Sequence, residues 1–185
     1  MIGTSRPLPR RGDRPLTAMT REMKASYAFI ERNFHLTRRY WAWEIAFLVY
    51  SVAGALSISL IGEAQGDRRL LFSLMIGAIF WNYLSVTFSW IAETIAVERW
   101  EGTLEYTMMA PIRRSSQLLG SVAYAIVYGL VHTAVMLVVL CLFFGLDLGH
   151  ADLPAAAAMM AVGSVSFVGI GMLAAILPLL SLIHI

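Results

Sequence analysis

The 185-residue chain is 58% hydrophobic and only 14% charged, with mean hydropathy +0.69 and formal net charge +2. Soluble domains carry about 25% charged residues, so the composition argues against an ordinary water-soluble globule and for an integral membrane protein. The near-zero net charge gives no support for nucleic-acid binding, and the single cysteine, Cys141, rules out a disulfide framework or a cysteine-rich zinc site.

Residues 1–19 hold Pro7, Pro9 and Pro15 with arginines between them and show no periodicity, which predicts a disordered basic cytoplasmic tail. No apolar stretch of signal-peptide type follows directly. Residues 20–41 differ: Met23, Tyr27, Ile30, Phe34 and Trp41 recur at helical steps, while Glu31, Arg32, His35, Arg38 and Arg39 fall largely elsewhere. Thr20 is the expected N-cap of this helix. A basic amphipathic helix just before a span is expected to lie in the membrane interface.

Four apolar stretches follow, at about 42–62, 70–92, 117–145 and 155–179, each long enough to cross a bilayer. Tyr40, Trp41 and Trp43 form an aromatic belt at the first. Ser51, Ala55 and Ser59 make a small-residue stripe for close helix approach, and Glu44 is expected to snorkel to the interface. Asn82 in the second span and His132 in the third are the strongly polar intramembrane groups. They are expected to make interhelical hydrogen bonds, with a pathway contact as the functional alternative. Ala125 and Gly129 form a small pair in the third span. Gly163, Gly169, Gly171, Ser164 and Ser166 predict that the fourth is closely packed rather than lipid-facing, and Pro178 should kink or end it.

Basic residues set the orientation. Segments 1–41 and 93–114 together hold twelve of the fourteen Lys/Arg, whereas 63–69 holds two and 146–154 none. The positive-inside rule therefore places the N-terminus and segment 93–114 in the cytoplasm. Short outer connections predict that consecutive helices are antiparallel neighbours.

Segment 93–114, ETIAVERWEGTLEYTMMAPIRR, is a charged island between uncharged runs. Val97, Trp100, Leu104 and Met108 form an apolar stripe, and Glu98, Glu101 and Glu105 an acidic stripe beside it. Gly102 weakens the helix, Thr103 can cap a new turn, and Pro111 forces the chain out of helix near Ala110. The expectation is two short helices across the membrane surface, with the carboxylates facing the cytosol. No phosphate loop of the GxxxxGKS/T type and no GxSxG elbow occurs, so ATP binding by that route and serine-hydrolase chemistry are not expected.

Glu101-Gly102-Thr103-Leu104-Glu105 followed by Pro111, Arg113 and Arg114, lying between the second and third spans, resembles the corresponding loop of ABC type-2 exporter permeases. Glu98 and Arg99 stand where that family often has a charged residue. The resemblance extends over about residues 20–179. It implies an all-α polytopic bundle of six spans, a non-enzymatic permease subunit in the bacterial inner membrane, and pairing with a second permease copy, identical or not. It also implies an ATP-binding cassette ATPase on a separate chain, which holds the ATP. Glu98, Arg99, Glu101, Gly102, Thr103, Leu104, Glu105 and Pro111 would then couple ATP hydrolysis to export. Only four spans are present, and residues 180–185, LSLIHI, look like translated sequencing adaptor, so a truncated reading frame is expected. A non-transporting membrane anchor that recruits a cytoplasmic partner through 93–114 is the alternative, and a membrane enzyme using His132 is a third reading that lacks a second catalytic group.

Overall fold

A computed structural model describes residues 15–146 and 152–177. The chain runs α1 (Pro15–Arg39), α2 (Trp41–Ala64), α3 (Arg68–Trp100), α4 (Leu104–Met109), α5 (Arg114–Phe144) and α6 (Leu153–Ala174), with no strand among the described residues. Four helices, Trp41–Ala64, Arg68–Trp100, Arg114–Phe144 and Pro154–Ala174, are long and apolar enough to cross a membrane. The chain is thus an all-helical membrane bundle, as its composition implied. Residues 1–14 of the expected tail, most of the second outer turn, and residues 178–185, with Pro178 and the 180–185 segment, lie outside the described residues.

α3 is the central helix. At 33 residues it is about 50 Å long, well beyond the ~30 Å hydrocarbon core. Its N-terminus is fixed by Asp67, whose carboxylate accepts from the N–H groups of Arg69 and Leu70 at 2.8 and 3.2 Å. α2 and α3 form a tight antiparallel hairpin. Ser51, Ala55, Ser59 and Gly62 of α2 are all buried, which bears out the small-residue stripe. A Cβ on Gly62 would come within 2.4 Å of the Leu71 backbone nitrogen, so only glycine allows this approach. Ala55, Met75, Ile79, Met136 and Leu140 close an apolar core between α2, α3 and α5.

α5 runs antiparallel to α3. Ala125 and Gly129 are both buried there, and Gly129 lies beneath Tyr83 and Thr87. α1 follows the first turns of α5, packed so closely that a Cβ on Gly120 would meet the Ser26 carbonyl oxygen at 2.4 Å. The face of α1 that meets the bundle is mixed: Glu22, Arg32, Asn33 and Thr37 share it with Ala25, Phe29, Ile30 and Leu36. Met23, Tyr27, Phe34 and Trp41 stay exposed and Ile30 is half-buried, so most of the predicted apolar stripe is left uncovered by protein.

Three expectations are corrected. α1 begins by Pro15, so Thr20 is inside the helix rather than its N-cap, and the tail ends earlier than residue 19. Proline at a helix start is tolerated because its missing N–H would have no partner there. The successive helices α5 and α6 are not packed neighbours; α6 leans on α3, which it parallels through Gly163 over Leu84 and Gly171 over Ile91. For that reason α6 is not closely packed all round. One stripe, with Ser164, Gly171 and Ala175 buried, suffices for a single neighbour, and Ser166 and Gly169 are exposed.

Candidate coupling elbow

The island breaks at Gly102. α3 ends at Trp100, Gly102 takes φ +69°, and the Thr103 and Gly102 N–H groups donate back to the carbonyls of Glu98 and Arg99 at 2.9 and 3.2 Å. This pair of bonds is a Schellman close, for which the left-handed residue is usually glycine. The second break also falls where the sequence places it. Ala110, before Pro111, is extended at ψ 138°, because proline's ring disfavours helical geometry in its predecessor.

The two pieces are unequal, which corrects the expectation of two surface helices. Residues 94–100 simply prolong α3, and only the six-residue α4 is separate. The continuity of α3 has a plain cause: no proline or glycine interrupts it between Gly77 and Gly102. Thr103 occupies the position before α4 but does not cap it; its hydroxyl donates to the Glu98 carbonyl at 3.3 Å instead.

Glu98 is the main departure. Expected in the cytosol-facing stripe, its side chain is 1% exposed. Arg32 Nη1 donates to Oε1 at 2.5 Å, and Gln117 Nε2 lies 3.0 Å from each carboxylate oxygen. An unpaired buried carboxylate would be prohibitively costly, so these donors are what make the burial possible. One carboxylate therefore ties α1, α3 and α5 together at the root of the elbow. Below it, Glu22 of α1 accepts from the Ser116 hydroxyl at 2.6 Å and from the Arg113 N–H at 3.3 Å. The Ser116 bond, then the Arg113 N–H and guanidinium, hold the Glu22 carboxyl below the usual carboxylate range against a smaller opposing effect of burial. Arg114 donates to the Thr107 and Met108 carbonyls at 2.9 and 2.6 Å, closing the C-terminal end of α4.

Beyond this root the elbow projects. Trp100 is 80% exposed, Tyr106 and Met109 are each 74% exposed, and Glu101, Glu105 and Pro111 are exposed too. Leu104 and Val97 are half-buried, so the predicted apolar stripe is only partly covered, and Trp100 and Met108 point away from protein. Arg99 is half-buried near the break.

Asn82 and His132 belong elsewhere. Asn82 Oδ1 lies 3.1 Å from His132 Nδ1, the interhelical bond expected of such groups, sixteen residues or about 24 Å along α3 from Glu98. His132 continues an aromatic ladder on α5: its ring centroid is 6.0 Å from that of Tyr128, which is 6.0 Å from that of Tyr124, and Trp90 of α3 lies 5.1 Å from both tyrosines. The Tyr128 hydroxyl donates to Glu44, so that carboxylate is tied to α5 rather than simply extended to the interface.

Arg32, Gln117, Glu22 and Ser116 were not singled out from sequence. Arg32 was visible as part of the polar face of α1, and a polar face that must pack on a bundle requires charged partners. Which carboxylate would meet it depends on helix rotation, which the local pattern does not encode. No family model, curated protein or solved structure matches the chain.

Proposed function

We propose that the chain is a transmembrane permease subunit of an ATP-driven exporter in a bacterial inner membrane, with its N-terminus in the cytoplasm. A separate ATPase subunit hydrolyses ATP and drives export through contact with residues 100–110, and a second permease copy completes the pathway. The observation that carries this reading is mechanical. An exposed acidic and aromatic elbow projects from the end of the central helix, and the buried Glu98 at its root is bonded to two other helices. The resemblance of Glu101–Glu105 and Pro111 to the exporter loop supports it, as does the concentration of basic residues on this side of the bundle.

In this mechanism the ATPase pushes on α4 and the exposed carboxylates Glu101 and Glu105. Gly102 lets α4 hold its angle to α3. Displacement of the root then moves α1 and α5 with α3, because the Glu98 carboxylate bridges all three. A rigid root and a projecting contact are what a lever needs, since packed helices move as units rather than deform continuously.

The test is co-purification with a candidate ATPase subunit that carries a phosphate loop, followed by measurement of ATP hydrolysis. Glu101→Arg with Glu105→Arg should abolish assembly or stimulation while leaving the thermal midpoint unchanged, because both side chains are exposed. Intact assembly and stimulation in that variant would overturn the coupling role. Assembly without any stimulation in the unaltered protein would favour the anchor reading.

A further inference from the structure

A cleft of about 650 Å³ opens between the α1–α2 junction and the last turns of α3, with Tyr128 of α5 at its back. The volume falls within the roughly 300–1,000 Å³ of small-molecule sites. Its walls are unusually aromatic: Trp43, Trp90, Trp100 and Tyr128 all line it. Its charge is negative, from Glu44, Glu93 and Glu101. Arg32, the one basic group in the lining, is held 2.5 Å from the buried Glu98 and is neutralised there.

We propose that this cleft binds a bulky monovalent organic cation. Aromatic faces attract cations through their ring quadrupoles, by about 0.5–2 kcal/mol at each ring. Carboxylates at the rim supply the counter-charge, while the apolar ring surface matches apolar substituents on the ligand. A lipid tail would fit the rings but leave the carboxylates facing hydrocarbon, at a desolvation cost. An anion would meet three like charges. A metal ion is disfavoured by the donor set: among the described residues no group of three His, Cys, Asp or Glu side chains converges, and a small ion would not use the volume. The Glu44 carboxylate is positioned by the Tyr128 hydroxyl, which fixes its direction. The cleft lies beside the first turn of α2 and the last turns of α3, so a ligand reaches it from the membrane interface. Binding of this kind requires no ATPase and is measured without one, although Trp100 and Glu101 at the cleft's edge also belong to the proposed ATPase contact.

The experiment uses the purified chain in neutral maltoside micelles, with tetraphenylphosphonium as the probe and the isosteric anion tetraphenylborate as its control. Saturable one-to-one binding of the cation by equilibrium dialysis is expected, with no saturable binding of the anion. Glu93→Gln and Trp43→Ala alter exposed side chains and should fold normally. Each should weaken cation binding several-fold, and Glu44→Gln combined with Glu93→Gln at least tenfold. Glu44→Gln keeps an acceptor for Tyr128. Equal binding of cation and anion would reduce the effect to hydrophobic partitioning and overturn the proposal. So would cation affinity unchanged in folded Glu93→Gln and Trp43→Ala, or the absence of saturable binding.

Discussion

The Arg32 guanidinium lies 2.5 Å from Glu98 Oε1 across 66 residues of sequence, joining the helix before the first span to the end of the second. The pair is asymmetric: the Arg32 side chain keeps 31% of its surface in solvent and that of Glu98 only 1%. Removing the arginine strands a buried charge, whereas removing the carboxylate frees a guanidinium that can turn to water. Arg32→Met should therefore destabilise by about 3 kcal/mol, the low end for a broken buried pair because Arg32 is partly hydrated. Glu98→Leu should cost less, and Arg32→Met with Glu98→Leu should recover much of the loss. Thermal unfolding in micelles as a double-mutant cycle checks this; additive losses would show that the two side chains do not act as a pair.

Glu22 gives the root a pH dependence of definite sign. Its carboxyl is held below the usual range, first by the Ser116 hydroxyl. A depressed native pKa contributes stability in full above the unfolded value, about 4.3, and that stability is lost as pH falls through the lower native value. The thermal midpoint of the wild type should exceed that of Glu22→Gln by a constant margin from pH 8 to pH 5, and the margin should shrink in stronger acid. A margin unchanged at pH 3 would mean that the Ser116 and Arg113 contacts do not favour the ionised form.

Gly120 tests whether α1 belongs to the bundle. The Ser26 carbonyl oxygen would lie 2.4 Å from a Cβ at this position, and backbone cannot rotate away as a side chain can. Gly120→Ala should cost about 1–3 kcal/mol, as overpacking does. It should also loosen α1, read as faster hydrogen exchange of the α1 backbone amides. Gly54→Ala is the control: nothing lies within 4 Å of its would-be Cβ, so neither measurement should change.

Much of the fold was legible because local chemistry decides it. Uncharged runs of bilayer length define α2, α3, α5 and α6, and Gly102 and Pro111 mark both ends of the elbow. What escaped was rotation and choice of neighbour. The acidic stripe Glu98, Glu101, Glu105 looks uniform in sequence, yet Glu98 turns inward because α3 runs on unbroken past the membrane-length segment and carries it against Gln117. Glycines in α6 implied close packing, but small residues permit an approach without specifying a partner, and α6 found only α3. Asn82 and His132 were individually recognisable as intramembrane polar groups; their pairing depended on the antiparallel register of α3 and α5.

Gly102 and Gly145 offer a matched comparison that isolates the elbow. Both take left-handed backbone, φ +69° and +61°, at the ends of α3 and α5, and neither would-be Cβ meets anything within 4 Å. Both are followed by a residue whose N–H donates five positions back, Thr103 to Glu98 at 2.9 Å and Leu146 to Cys141 at 3.0 Å. Alanine at either position should therefore cost about the same, roughly 1 kcal/mol, since the penalty is conformational in both. Their functional effects should differ. With Gly102→Ala the left-handed turn is disfavoured and α3 is free to extend toward α4, which swings Glu101 and Glu105 away from their angle to the root. Spin labels at Glu31 and Glu105 should report a changed distance in Gly102→Ala and an unchanged one in Gly145→Ala, and only the former should lose ATPase stimulation. Equal thermal midpoints with equal distances in the two variants would show that the turn at Gly102 does not set the direction of α4.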